Sequence, residues 1–577
     1  MNWNNYKYIL PLALLLGACQ PGNVRQAVVP EQGPYLDAIN RQAADTPDWF
    51  GENNAEQQKL RNRYKGTVEP ELATYLENDI YLVDNPSIRR YHEKILARLL
   101  QGWAGQKPGI RFVFESDESL NAYVDVYNQI HVSSGLLRSV ENEDQLASVL
   151  AHELSHVLLK HNQDKSATKS VSWSVEMAGA LSIAAAGVAY NKNQNEKYKD
   201  YAEHALIGSQ SLGLAWSDML APAWARNYER DADKLGLDLL MRADYNYEEF
   251  YKIIARLQDS NLRRSDRQRF FNAMAGNLLQ QNRARFYSGN PDSKKDKALG
   301  DIKYLGTSMI ASLTFDALAK GNVEHDKREQ RIDMLKIYLQ DAHQGGELPP
   351  VPDTASLRKA LHEGEAKKIL AADRVAIETI EALNRKELDT ARKGAKQLGS
   401  GLADRVASIG IARSFFDTTQ RNNRQATRML TKVTRSPNAP AEAYLRLSRL
   451  YQAAGDYKAS RSTLELGNRR IGRNYRFLPE LVATHKALGD TENAERYAIE
   501  CARSDRDNIS LASAFLSGSN SASTAYYQLC SRKLGYDVVA KRRQEAAAAA
   551  KQQKQQRKQN KANLKEYKNK LKSLFDR

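Results

Sequence analysis

The residues best suited to chemistry form one short motif, H-E-x-x-H, at His152, Glu153 and His156. The motif lies in a stretch whose apolar residues recur at helical spacing. Two histidines four positions apart on a helix point the same way, so both imidazoles can bind one zinc ion. The glutamate between them can then take a proton from water at the metal. This spacing is typical of a metallopeptidase; the alternative is a chance motif on a surface helix.

A catalytic zinc ion needs a third protein ligand and one open position. Glu229 and Asp233 are four positions apart in a second helical stretch. We expect Glu229 to bind the metal and Asp233 to accept an N–H from a ligand histidine. As isolated acids they would be solvated surface charges. Ala232, Gly236 and the apolar run that follows favour a helix that faces the protein interior.

The elements expected to position these residues mix helix and strand. Residues 109–115 alternate apolar and polar positions as a strand does, and residues 121–133 form a second extended stretch. Helical patterns cover residues 76–101 and dominate from 142 to 340. The sequence therefore predicts a mainly α, α+β domain with a small β-sheet around the motif.

The second half of the chain is repetitive and helical. It follows a Pro/Gly-rich linker at residues 345–352, and Gly455-Asp456 and Gly489-Asp490 recur 34 residues apart. Small residues near the same interval are Ala391, Ala426, Ser460 and Ala494. A 34-residue helix-turn-helix period predicts tetratricopeptide-like repeats, which offer a concave surface to proteins or peptides. An irregular helical bundle is the alternative.

Together the motifs resemble those of the gluzincin family that includes the CAAX prenyl endopeptidases, HtpX and the BepA-like periplasmic proteases with tetratricopeptide repeats. In that family H-E-x-x-H is followed by E-x-x-x-D with alanine before the aspartate, as at Glu229, Ala232 and Asp233. The acidic lead-in that starts at Glu143, and His161 after the motif, match as well. The resemblance implies a zincin-type domain that binds one Zn²⁺ per chain.

The resemblance also implies roles for residues away from the two ligand helices. Asn121, Ala122 and Tyr123 match the strand that borders the substrate cleft, where a peptide binds by strand addition. His325 and Arg331 match part of a further family motif that here lacks its proline. In relatives this histidine can approach the resting metal, and a basic residue steadies the oxyanion. A solvated helix start is the alternative for this last segment.

Three segments depart from the family pattern. Residues 126–128 replace a Pro-Gly-Gly turn after the cleft strand, and the region from 248 to 325 is longer than usual. The Ala- and Gly-rich residues 171–190 carry a glutamate and several serines, which disfavour a membrane span. We expect this segment to pack over the active site or to act as a mobile plug.

The N-terminus resembles a bacterial lipoprotein signal. An apolar run too short to span a bilayer ends in Leu16-Gly17-Ala18-Cys19. This predicts cleavage before Cys19 and acylation of that cysteine, which anchors the protein to a membrane without spanning it. Gln20 in the next position is typical of outer-membrane sorting in Gram-negative bacteria. The alternative is a plain signal peptide with an incidental cysteine.

The chain has three cysteines, and the other two are Cys501 and Cys530. In an oxidising periplasm they can form a disulfide that closes a helical hairpin. Two buried thiols are an equal alternative, because the sequence does not show whether these cysteines are close in space.

The net charge of +16 is concentrated in one tail. Residues 541–577 carry thirteen Lys or Arg against three acids, an excess of ten. A solvated helix or disordered tail is the simpler interpretation, and attraction to anionic lipid or other envelope polyanions is the alternative. The body is only mildly basic, so we expect no nucleic-acid partner.

These expectations define a domain order and a function. The order is a signal peptide at 1–18, a tether with early helices at 19–75, the metallopeptidase domain at 76–344, a linker at 345–356, repeats at 357–537 and a basic low-complexity tail at 538–577. We expect a zinc endopeptidase of the cell envelope that hydrolyses unfolded or misassembled envelope proteins, with the repeats recruiting substrates or an assembly machine. One alternative is a chaperone or scaffold lipoprotein with a latent zinc site; another is a structural lipoprotein that works through its tail.

Overall fold

A computed structural model of the chain describes residues 34–46, 49–50, 61–62, 69–77, 79–125, 127–161, 226–258, 328–472, 475–501 and 525–575. Backbone contacts divide the chain into two compact units, Met1–Ala443 and Tyr444–Arg577, and each is described by itself. The predicted boundaries of six segments stay predictions.

The first unit contains a three-stranded sheet. Its strands are β1 (Arg111–Glu115), β2 (Ala122–Val124) and β3 (Gln129–Ser133), in the order β1-β3-β2. β1 pairs with β3 in parallel, and β2 pairs with β3 antiparallel, with Tyr123 opposite His131. Among the described strands β2 is therefore an edge. The predicted fold class, mainly α with a small sheet and a helical region after it, is confirmed.

Helices make up most of the described part of the first unit. They are α1 (Tyr35–Ala44), α2 (Pro70–Glu77), α3 (Pro86–Leu99), α4 (Ser134–Ser139), α5 (Glu143–Leu158), α6 (Arg226–Arg242), α7 (Glu248–Gln258), α8 (Arg328–His343), α9 (Thr354–Leu361), α10 (Gly364–Asn384), α11 (Leu388–Gln397), α12 (Ala407–Thr419) and α13 (Asn423–Val433), with a short 3₁₀ helix at Leu100–Gly102. The H-E-x-x-H motif lies in α5, as the apolar periodicity predicts.

Helix α5 is enclosed on nearly every side. It packs against α3, α6, α7 and β2, and all its residues except His152 are buried. The sequence predicts that α5 has a single apolar stripe and that its histidines face a cleft. In the structure the surrounding elements bury the polar positions of α5 as well. Glu143 and Asp144 at its start are buried, and Asp144 accepts hydrogen bonds from the backbone of Asn246 and Asp353. Polar contacts therefore fix the N-terminus of the helix.

The helix expected over residues 76–101 is interrupted. Residues 79–85 are not helical, and α3 starts only at Pro86. The Asn85 side chain accepts hydrogen bonds from the backbone N–H groups of Ser87 and Ile88, an N-cap that restarts the helix after the break. Proline at the first helical position favours the same start.

The second unit continues the helical region. Its helices are α14 (Ala441–Ala453), in which the boundary between the units falls, α15 (Tyr457–Ile471), α16 (Leu478–Ala487), α17 (491–501), α18 (Ala525–Leu534) and α19 (Val538–Phe575), with a 3₁₀ helix at Tyr475–Phe477. α19 is exposed along 540–566. In the described part of the chain, no helix is both long enough and apolar enough to cross a membrane.

The two predicted Gly-Asp turns have the same geometry. Gly455 and Gly489 have positive φ angles of 77° and 75°, a conformation that favours glycine at the end of a helix. Asp456 and Asp490 then cap the next helix through their side chains. The four predicted small residues are fully buried: Ala391, Ala426, Ser460 and Ala494. The local 34-residue pattern is real, and the tetratricopeptide assignment stays a prediction.

Cys501 and Cys530 form a disulfide between α17 and α18, which decides between the two alternatives left by the sequence. The two cysteines are 29 positions apart in the sequence. By loop-closure entropy, we expect reduction to lower the free energy of unfolding of this unit by about 3.6 kcal/mol. Urea unfolding of the full chain with and without reductant measures the difference. The double variant Cys501→Ser/Cys530→Ser should not respond to reductant. In a chain that starts after Cys19, two reactive thiols in the unreduced, unfolded wild type would contradict the pairing.

Candidate metal centre

Two neighbouring helices bring three metal-binding side chains together. The Nε2 atoms of His152 and His156 on α5 lie 3.3 Å apart. Glu229 on α6 places Oε2 3.7 Å from His152 Nε2 and Oε1 3.7 Å from His156 Nε2. All three donor groups lie within 4.8 Å of one another. These are the residues for which the sequence predicts metal ligation.

The geometry of this group fits zinc. Ligand atoms about 2.0–2.1 Å from a tetrahedral zinc ion lie about 3.4 Å apart, close to the three observed separations. The charges of three carboxylates, those of Glu153, Glu229 and Asp233, act on His152. One guanidinium, that of Arg331, pairs with Glu229 and Asp233. Buried charges of this kind are normally paired or bind a metal, and the excess of negative charge suits a divalent cation.

Asp233 orients His152. Its Oδ1 lies 3.0 Å from Nδ1 of the histidine, a contact that favours the proton on Nδ1 and leaves Nε2 as the lone-pair donor. Burial lowers the pKa of His152, but the hydrogen bond to Asp233 and the nearby negative charges outweigh burial and raise it. The site therefore stabilises positive charge at this imidazole, as a metal-binding site should.

Arg331 holds the aspartate in turn. From α8 its Nε and Nη2 donate to the two carboxylate oxygens of Asp233 at 2.8 and 2.5 Å, and Nη1 lies 3.5 Å from Glu229 Oε2. Burial raises the pKa of Asp233, but the Arg331 charge and the contact with His152 reverse this and lower the pKa to about 2. The resemblance to the family implies a contact of Arg331 with the oxyanion, whereas its described contacts are with the metal-site acids. The oxyanion role stays a prediction.

His161 has a role that the sequence does not reveal. Its Nδ1 lies 3.0 Å from Nδ1 of His156, and its ring stacks on Tyr228 at a centroid distance of 4.2 Å. When His156 carries its proton on Nδ1, that N–H donates a hydrogen bond to Nδ1 of His161. The Nε2 atom of His156 is then the lone-pair donor for a metal. The only sequence signal for His161 is its place in the family motif.

Gly236 lets the two ligand helices approach. A Cβ atom at this position would lie 3.3 Å from the backbone nitrogen of His152. A larger side chain would push α6 away from α5 and separate Glu229 from the histidines. The sequence indicates only that this part of α6 faces the interior.

Some of the remaining predicted site residues lie in the part of the chain that the structure describes, and others lie outside it. Glu153 is buried next to His152, and its charge contributes to the raised pKa of that histidine. Ala122 and Tyr123 lie in β2, which follows Asn121 and contacts α5. His325, the 171–190 segment and the lipidation site Cys19 lie outside the described residues.

The comparison with known families agrees with this geometry. Residues 86–299 match the profile described as peptidase family M48. The chain carries an M48 peptidase domain. The matched region includes the sheet, α5 and α6, whereas Arg331 lies beyond it.

The M48 domain has relatives among curated proteins. The beta-barrel assembly-enhancing protease of Escherichia coli K12 is 25% identical over 264 residues, 43% of this chain and 51% of that protein. The protein of the same name from Yersinia pestis is 21% identical over 271 residues, 44% of this chain and 52% of that protein. The chain is homologous to these proteases at modest identity, and it spans about half the length of each.

Substitution of Asp233 tests how the M48 domain orients its histidine. Asp233→Asn removes the charge that pairs with Arg331 and His152, so zinc affinity should fall about 10- to 100-fold. Competition with a fluorescent zinc chelator measures the affinity. Asp238→Asn is the matched control, since Asp238 lies on the same helix and both side chains are 2% exposed. Equal affinities in the two variants would show that Asp233 does not support the metal site.

Proposed function

We propose that the protein is a zinc-dependent endopeptidase of the bacterial cell envelope that hydrolyses unfolded or misassembled envelope proteins. The observation that carries this proposal is the separation of 3.3 to 3.7 Å between the donor atoms of His152, His156 and Glu229. Glu153 lies next to one of these ligands, in the position for a general base.

The proposed mechanism divides the chemistry between metal and protein. His152, His156 and Glu229 would hold one zinc ion, which would supply a Lewis acid to polarise the scissile carbonyl and to lower the pKa of water. Glu153 takes a proton from the attacking water and delivers it to the nitrogen of the leaving amine. Its burial keeps competing water away from that proton transfer.

Two basic residues complete the proposal. Arg331 positions Asp233, and through it His152, by two hydrogen bonds. An additional contact of Arg331 with the oxyanion, and an approach of His325 to the resting metal, follow from the resemblance to the family. We retain both as proposals for the full chain.

Strand β2 is the proposed substrate-binding edge. Residues Asn121, Ala122 and Tyr123 run along the side of the sheet that contacts α5, and β2 is an edge of the described sheet. An extended peptide can add to such an edge through main-chain hydrogen bonds, which suits substrates without fixed tertiary structure.

The biological setting rests on the relatives and on the N-terminal sequence. Relatives named beta-barrel assembly-enhancing proteases support a role in envelope protein quality control. We propose a periplasmic protein anchored through lipid on Cys19, in the outer membrane of a Gram-negative bacterium. The repeats would recruit unfolded substrates or envelope assembly machinery, and no nucleic-acid partner is proposed.

Cleavage of matched folded and unfolded substrates tests this function. The mature chain is incubated with a disulfide-bonded protein in its native form and after reduction and carboxymethylation, and products are identified by mass spectrometry. Internal fragments from the unfolded form alone, abolished by a chelator, are expected. Suppressed aggregation without cleavage would instead indicate a chaperone with a latent zinc site, and loss of terminal residues only would indicate an exopeptidase.

A further inference from the structure

A buried ion cluster lies beside the edge strand, apart from the metal ligands. We call it the His131 cluster: His131 of β3, Glu115 of β1, Tyr123 of β2, Asp125 after β2 and Tyr75 of α2. His131 and Tyr75 are fully buried, and Asp125 is 1% exposed. Three strands and one helix therefore meet at a single imidazole.

Both ring nitrogens of His131 face carboxylates. Nδ1 lies 2.7 Å from Glu115 Oε1, and Nε2 lies 3.3 Å from Asp125 Oδ2. A neutral imidazole has only one N–H, whereas the imidazolium ion has two. The positions of the two carboxylates thus favour the charged form of His131.

The carboxylates are saturated by further donors. The Tyr123 hydroxyl donates to Glu115 at 2.6 Å, and the Tyr75 hydroxyl donates to Asp125 at 2.6 Å. The Tyr123 ring stacks on the imidazole at a centroid distance of 4.4 Å, and the Tyr75 ring lies against it at 4.6 Å with a tilt of 42°. A cation on the face of an aromatic ring, as His131 is on Tyr123, is stabilised electrostatically as well as by packing.

The cluster holds both the strand and the turn after it. Tyr123, at the centre of β2, is held by its hydrogen bond to Glu115. Asp125 Oδ1 accepts hydrogen bonds from the backbone N–H groups of Tyr127 and Gln129. β2 is only three residues long and pairs on one side, so few ladder hydrogen bonds hold it. Side-chain contacts must therefore supply much of its rigidity.

We propose that the His131 cluster is a positioning device that holds β2 in the register and orientation needed for a peptide to bind beside the metal centre. The proposal deepens the proposed function and rests on it for the substrate. Because Tyr123 uses its side chain within the cluster, β2 offers its backbone to the peptide, which gives affinity with little dependence on substrate sequence. That property suits a protease for varied unfolded chains.

The protonation of His131 makes the device sensitive to alkaline pH. Burial lowers the pKa of His131, but hydrogen bonds to Asp125 and Glu115 and their charges outweigh burial and raise the pKa from 6.5 to about 9. Burial and the same carboxylates raise the pKa of Tyr75 and Tyr123 well above 10, so their hydroxyls remain donors. The stability that His131 contributes is complete below pH 6.5 and is lost as the pH rises through about 9.

The test is the variant His131→Gln, which removes the charge and keeps hydrogen-bonding capacity. Hydrogen exchange of the amides in 121–125, on the zinc-free full chain, should accelerate at least about 10-fold, while exchange in α5 is unchanged. With zinc and a peptide substrate, KM should rise about 10-fold with kcat within twofold, because binding is impaired and chemistry is not. The difference in free energy of unfolding between the wild type and His131→Gln should become smaller as the pH rises from 6.5 to about 9.

His92→Gln is the matched control. His92 is also fully buried, but it lies on α3, bonds the Ile88 carbonyl and packs on Phe112 and Phe114, and no carboxylate among the described residues contacts it. It should lower stability without changing KM or exchange in 121–125. If His131→Gln does not fold, Glu115→Gln replaces it, with the same expected direction. Unchanged exchange in 121–125 overturns the proposal. If the wild type shows no peptidase activity, hydrogen exchange in 121–125 still tests the role of the cluster. Failure of the proposed function is thereby distinguished from failure of this proposal.

Discussion

Replacement of Glu153 by glutamine is expected to lower kcat/KM for an unfolded substrate by about 10²- to 10⁴-fold with zinc still bound at one ion per chain. Glutamine matches the glutamate in shape but cannot take up the proton that it must pass on. The ligands His152, His156 and Glu229 are untouched, so metal binding should persist. Measurement needs only initial rates and metal analysis on the same preparation.

The control for this variant comes from the same helix. Glu143→Gln changes a second glutamate of α5 that is also buried but contacts Tyr245 and Arg98, not the metal ligands. Its activity should stay within a few fold of wild type. If Glu153→Gln cleaves as fast as Glu143→Gln, Glu153 is not the base.

Replacement of Glu229 by glutamine should have the largest effect on metal binding. The change removes one of three ligands and leaves the Arg331 guanidinium with less negative charge nearby. Zinc affinity should fall by more than the roughly 100-fold that loss of a supporting residue produces, and activity should fall with it. Chelator competition measures the affinity.

Glu249→Gln provides the comparison for Glu229. Glu249 is a buried glutamate of α7 that bonds Asn142 and Gln145 at the start of α5. This variant should lose stability and keep its zinc affinity. Loss of zinc in both variants would mean that metal binding depends on general packing, and retention in Glu229→Gln would remove that residue from the ligand set.

The sequence predicts those parts of the site that depend on local spacing. The spacing of His152 and His156 fixes their common face on any helix, and the Glu229–Asp233 spacing does the same for the second helix. The alternation in 109–115 likewise predicts β1. The Gly455 and Gly489 turns were predictable because a left-handed residue followed by a capping aspartate is a local signal.

Contacts between distant residues were not accessible in the same way. Arg331 meets Asp233 across 98 positions of sequence, and no periodicity encodes that pairing. Nothing in the sequence around His131 indicates that it is more than an ordinary residue of a strand. Only the fold brings Glu115 and Asp125 to its two ring nitrogens. The Cys501–Cys530 pairing depended on spatial proximity for the same reason.

The central claim is tested most directly by restoring zinc to metal-free protein. The full mature chain is stripped with a chelator, zinc is added in fractions of one equivalent, and cleavage of an unfolded protein is followed at each step. Cleavage should rise in proportion to zinc and level off at one ion per chain, as expected for one site made by His152, His156 and Glu229. Cleavage that survives complete removal of metal, or one bound zinc ion without cleavage at any step, would contradict the account.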